Sequence, residues 1–154
     1  MPDQADLELY RLHRAEQSKY VYFILAAAAG GIALAVRMTA DATLQWSLAP
    51  LGAAVLSWGL SFYHGCRNLQ WAQEVTAKNK QMLKIARGDD PLVGPDPSRR
   101  AVATEAMRET LDSDSTTAGR HYVWQFRYLV TGAVLFIGWH VLQIVLRSNA
   151  PHAS

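Results

Sequence analysis

The chain has 154 residues, half of them hydrophobic and 18% charged, and its formal net charge is +2. So small a positive excess gives no electrostatic footprint for nucleic acid, and a single cysteine, Cys66, excludes an intramolecular disulfide framework. No Gly-rich phosphate loop, nucleophile elbow, HExxH helix or pair of carboxylates in an apolar setting occurs in the sequence, so no catalytic residue is assigned and the chain is read as a non-enzyme.

Hydropathy is unevenly spread. Three uncharged apolar blocks alternate with polar segments, and this pattern predicts an all-α integral membrane protein with three transmembrane helices. Residues 1–19 place Leu7 and Tyr10, and less regularly Leu9, Leu12 and Ala15, among charges of both signs. That predicts an amphipathic N-terminal helix lying at the membrane surface or against a neighbouring helix. Asp3, Asp6, Glu8 and Glu16 are out of place in a cleavable signal, and Arg37 follows the first apolar block where a small-residue cleavage site would stand, so the first span is expected to be retained.

The transmembrane hairpin is placed at residues 20–66, with spans over 20–36 and 46–66. The first is at the short end of what crosses a bilayer, and Lys19 and Arg37 flank it within reach of the two head-group layers. The second belongs to a run without formal charge between Asp41 and Arg67, long enough as a helix for the roughly 30 Å hydrocarbon core. Pro50 falls in its first turn, where a missing N–H costs little. Small side chains recur every fourth residue in both spans: Ala27, Gly31 and Ala35 in the first, Ala49, Ala53, Ser57, Ser61 and Gly65 in the second. Such faces allow close helix approach, and the two are expected to pack against each other. His64 and Cys66 stand at the cytoplasmic end, only two ligands where a zinc site needs three or four, so no metal is assigned.

Residues 67–119 are read as a cytoplasmic segment. A stalk helix over 67–87 carries an apolar stripe of Leu69, Ala72, Val75, Met82, Leu83 and Ala86, with Lys78, Lys80 and Lys84 on the other face. Gly88 stops it, and three prolines and two glycines in residues 88–98 form an extended linker. Asp96 or Ser98 then caps a short helix over 99–111, with Val102, Ala103, Ala106, Met107 and Leu111 on its apolar side, and residues 112–119 are expected to turn. That turn lacks the glycine and closing glutamate of a calcium loop. Arg99 and Arg100 stand in the first helical turn, where the dipole disfavours cations; either they hold an anion there or they are solvated.

The third transmembrane helix is placed at residues 120–147, with residues 128–146 uncharged, and residues 148–154 form a tail. Tyr122, Trp124, Phe126, Tyr128 and, near the other end, Trp139 fit rings settling at the two interfaces. His140, Gln143 and Arg147 share one face, an intramembrane polar stripe that serves either interhelical hydrogen bonding or a pore. At 1.5 Å per residue His64 and His140 lie at different depths and cannot share one haem within a subunit, and no cofactor is assigned.

Lys and Arg concentrate in the long segment between the second and third spans, so the amino terminus is expected in the cytoplasm and the carboxyl terminus outside. The stretches SKYVYFILAAAAGGIALAV and APLGAAVLSWGLSFYHGCRNL resemble small bacterial membrane proteins of uncharacterised function. The order of amphipathic start, tight two-span hairpin and cytoplasmic helix resembles in architecture the SLATT-type membrane effectors of bacterial conflict systems, which are proposed to form pores. That resemblance covers about the first 90 residues and carries no site residue across. The expectation is a bacterial inner-membrane protein acting by helix association, as a homo-oligomer or an accessory subunit, with the lipid bilayer and itself or another membrane protein as partners. An oligomeric pore gated by the cytoplasmic helices is the alternative, and a haem-bearing redox subunit the weaker one.

Overall fold

The computed structural model describes residues 4–41, 43 and 45–148, the side chains of residues 4–18 and 147 excepted. The chain is all-α, with no strand among the described residues: α1 (Gln4–Met38), a 3₁₀ turn (Trp46–Leu48), α2 (Ala49–Arg87) and α3 (Pro97–Ser148). Pro50 sits in the first turn of α2, as its fixed φ and missing N–H favour. The amphipathic face expected over residues 1–19, the Arg147 side chain and the end of the tail lie outside the described residues.

Two elements are longer than the sequence suggests. No break separates the amino-terminal segment from residues 20–36, so both belong to α1. The turn expected over residues 112–119 is also absent, and those residues continue α3. Thr116 and Thr117 direct their hydroxyls to the carbonyls of Asp112 and Ser113, four residues back. Asp114 is buried against Lys78, and the Asn68 amide donates to the Ala118 carbonyl at 2.7 Å. Hydroxyls and carboxylates favour turns by offering the backbone alternative partners; here those side chains are already committed in ways compatible with the helix.

Helix ends follow local chemistry. At Gly88 (φ +84°) the Gly88 and Asp89 N–H groups donate to the Ile85 and Lys84 carbonyls, the paired bonds of a left-handed helix stop. Asp96 caps α3, accepting from the Ser98 N–H at 3.2 Å, with Pro97 at the first helical position; Ser98 is not the cap.

The chain forms two compact units, one of Met1–Gly65 with Val123–Ser154 and one of Cys66–Tyr122. In the first, the buried positions of α1 are Val21, Ile24, Ala28 and Ala35, with Gly31 half-buried between the last two. In α2 they are Leu51, Ala54, Ser57, Trp58, Ser61 and Gly65. Steps of three and four alternate, the 3.5-residue period of helices packed side by side at shallow angles. In the second unit Val75 and Ile85 are buried on α2, while Leu83 and Ala86 from the expected stripe are exposed, as is Val102 of α3.

Two helices contain segments long and apolar enough to cross a membrane, within Lys19–Met38 and Pro97–Leu146, with mean hydropathy of 1.9 and 2.0. Residues 49–66 of α2 are less apolar because Ser57, Ser61 and His64 interrupt them.

Candidate functional site

Trp58 is the centre of the first unit. Its ring is 5% exposed and lies between two glycines from different helices. A Cβ on Gly31 of α1 would come within 2.9 Å of the ring, and one on Gly132 of α3 within 2.5 Å of its Nε1. Only hydrogen fits at either position. The indole N–H donates to the Leu129 carbonyl at 3.3 Å, and Phe136 packs on the ring with centroids 5.6 Å apart.

On either side of Trp58 along the seam, α2 donates to the backbone of α3. Ser57 Oγ donates to the Tyr128 carbonyl at 2.9 Å and Ser61 Oγ to the Gln125 carbonyl at 2.8 Å. A helical carbonyl keeps a second lone pair after accepting its own N–H, so these bonds leave the helix intact and satisfy hydroxyls that would otherwise be stranded in an apolar interior. Gln125 is fully buried, and its Nε2 donates to the Val21 carbonyl at 3.5 Å. A Cβ on Gly65 would come within 2.5 Å of that Nε2 and 2.7 Å of Leu25, so Gly65 makes room for the amide. Beside this end, His64 stacks on Tyr128 and Trp124 on Tyr128, with Arg127 over the Trp124 ring at 5.3 Å.

The two small-residue faces do not meet as expected. Ala27 is exposed and its neighbour Ala28 is buried, while Gly31 accepts Trp58 and Ala35 joins the core. Ala49 and Ala53 are exposed, and Ser57, Ser61 and Gly65 face chiefly α3. The physical reason is rotation: a step of four residues turns about 40° past a full circle, so a fourfold series leaves the seam after two or three members.

The polar stripe of α3 divides. His140 is exposed and Gln143 half-buried, and both line a pocket of about 250 Å³ between the end of α1 at Met38, the connection from Thr43 to Leu48, and α3. Trp139, expected at an interface, is 6% exposed and belongs to the core.

In the second unit, Arg100 reaches back to the end of α2. It donates to the Ala86 carbonyl at 3.2 Å, so its charge lies against the carboxyl-terminal end of α2, where the helix dipole favours a cation. Arg99 stands 3.8 Å from Asp96 and is largely exposed. Cys66 is half-buried with a free thiol, and no cluster of three metal-ligating side chains occurs among the described residues.

Sequence reasoning missed Trp58, Gln125 and Gly132. The available signal was that Trp58 stands beside Ser57 and between Ala54 and Ser61, a bulky ring inside a small-residue run. No family model, curated protein or solved structure matches this chain.

Proposed function

We propose that this chain is a three-span inner-membrane protein that acts by helix association, as a homo-oligomer or as an accessory subunit of another membrane protein. The observation that carries the reading is where the apolar side chains point. Only 22% and 11% of the two apolar windows are buried in the folded chain, whereas the core helix of a soluble protein is mostly buried. Phe23, Leu56, Val134 and Ile137, each more than 60% exposed, need a covering that water does not provide and lipid does.

α2 supplies the third span. Its Ser57 and Ser61 hydroxyls are satisfied by α3, so its lower hydropathy does not translate into unpaired polar groups facing lipid. Association is supported by the outward side of the same helix. Gly52 and Gly59 have nothing within 4 Å of a hypothetical Cβ, and Ala49 and Ala53 are exposed as well, so the outward side of α2 offers small residues on either side of the exposed Leu56 for a second helix.

Charge orients the chain with its amino terminus and the Cys66–Tyr122 unit in the cytoplasm. A reporter fused after Ser154 is expected to read as periplasmic and one inserted at Gly94 as cytoplasmic. The reverse pattern sinks the orientation, and both reporters on one side sinks the third span.

A further inference from the structure

At the Gly65 end of the first unit, rings from α2 and α3 form a ladder that ends on a cation. Tyr63 meets His64 edge to face, His64 stacks on Tyr128 and Tyr128 on Trp124, with centroids 5.5, 5.5 and 5.6 Å apart. The Arg127 guanidinium lies over the Trp124 ring at 5.3 Å. The ladder faces outward: Tyr63 is 55% exposed, Trp124 39%, and Arg127 is exposed too. Arg127 makes no hydrogen bond or ion pair among the described residues, and the Tyr63 hydroxyl and Trp124 indole N–H make no hydrogen bond there. The one carboxylate among the described side chains of this unit, Asp41, stands beyond the opposite end of α1. A guanidinium keeps its charge and offers five donors in a planar fork that matches an oxyanion. Arg127 also borders the uncharged run 128–146 and folds back over Trp124, three residues toward the amino terminus of α3, so its charge is carried away from that run. In a bilayer that is the head-group layer, where the anions are lipid phosphates.

We propose that this ladder docks an anionic glycerophospholipid, with Arg127 pairing with the phosphate, Trp124 holding the guanidinium in place, and the exposed rings of Trp124 and Tyr63 lying against the glycerol and the first methylenes. Net negative charge is required because a zwitterionic lipid offsets its phosphate with its own ammonium. The proposal rests on the membrane reading above.

The full chain, purified in neutral detergent and stripped of lipid, is titrated at low salt with phosphatidylglycerol and with phosphatidylcholine of the same acyl chains, and bound lipid is counted by native mass spectrometry. Phosphatidylglycerol is expected to bind about fivefold more tightly, the gain of one cation beside an anionic head group. Arg127→Gln is expected to remove most of that preference, while thermal unfolding in detergent alone stays near wild type because the side chain is exposed. Arg37→Gln makes the same change in net charge at the other end of α1 and is expected to keep the preference. Trp124→Leu leaves the charge but removes the ring beneath it, and is expected to fall between the two. Inorganic phosphate is expected not to displace the lipid. The proposal is overturned if wild type shows no preference, if the two arginine variants lose it equally, if Trp124→Leu behaves as wild type, or if inorganic phosphate competes. A chain that passes the topology test and does not discriminate between the two lipids loses this proposal alone.

Discussion

Ser61 and Lys78 lie on the same helix, and the two units satisfy them differently. In the first unit neutral donors meet backbone carbonyls: Ser57, Trp58 and Ser61 all bond to α3, and no ion pair between described residues occurs there. In the second unit Lys78 pairs with Asp114, and its side chain remains one-third exposed. The difference fits two solvents. An unpaired charge costs far more in hydrocarbon than in water, whereas a hydroxyl bonded to a carbonyl costs little in either.

Size complementarity holds the first unit, so the largest effect is expected at its centre. Trp58→Ala leaves a void between Gly31 and Gly132 and is expected to destabilise the protein by about 3–5 kcal/mol, read from unfolding in detergent. Gly132→Leu, overpacking the same contact, is expected to cost about 1–3 kcal/mol, while Gly138→Leu, with nothing within 4 Å, is expected to be neutral. Equal effects at the two glycines would remove the wedge from the account.

Those positions also show what a sequence reveals. The uncharged runs marked where helices lie, and the fourfold series found Gly31, Ala35, Ser57, Ser61 and Gly65, which do lie at or beside the seam. It missed Trp58 because it looked only for small residues, although a large ring and two facing glycines pack as closely as small residues alone. Gln125 was hidden for a similar reason, as a single amide within an aromatic run read as an interface. Residues 112–119 are helical through contacts with α2 that have no local signature.

A smaller effect is expected from one hydroxyl. Ser61→Ala removes the donor to the Gln125 carbonyl, and that carbonyl keeps its helical partner, so no acceptor is stranded. The expected loss is about 0.5–1.5 kcal/mol and independent of salt. A loss above that range would mean that Ser61 positions Gln125 as well as bonding to it.

The smallest effect belongs to Lys78 and Asp114, where the comparison between units becomes a test of solvent. The pair is partly exposed, so its net contribution after screening is expected near or below about 1 kcal/mol. The partners are unequal: the Asp114 side chain is 10% exposed and that of Lys78 33%. Lys78→Met therefore strands a nearly buried carboxylate, whereas Asp114→Leu leaves an ammonium able to extend toward water, and the lysine variant is expected to be the less stable. Raising salt to 1 M shortens the screening length to about 3 Å. In wild type this is expected to lower hydrogen-exchange protection around Lys78 and Asp114 while leaving the amides around Trp58 unchanged. Salt sensitivity at Trp58 as well would mean that charge contributes to the first unit too, and the division between neutral and charged pairing would no longer separate the two.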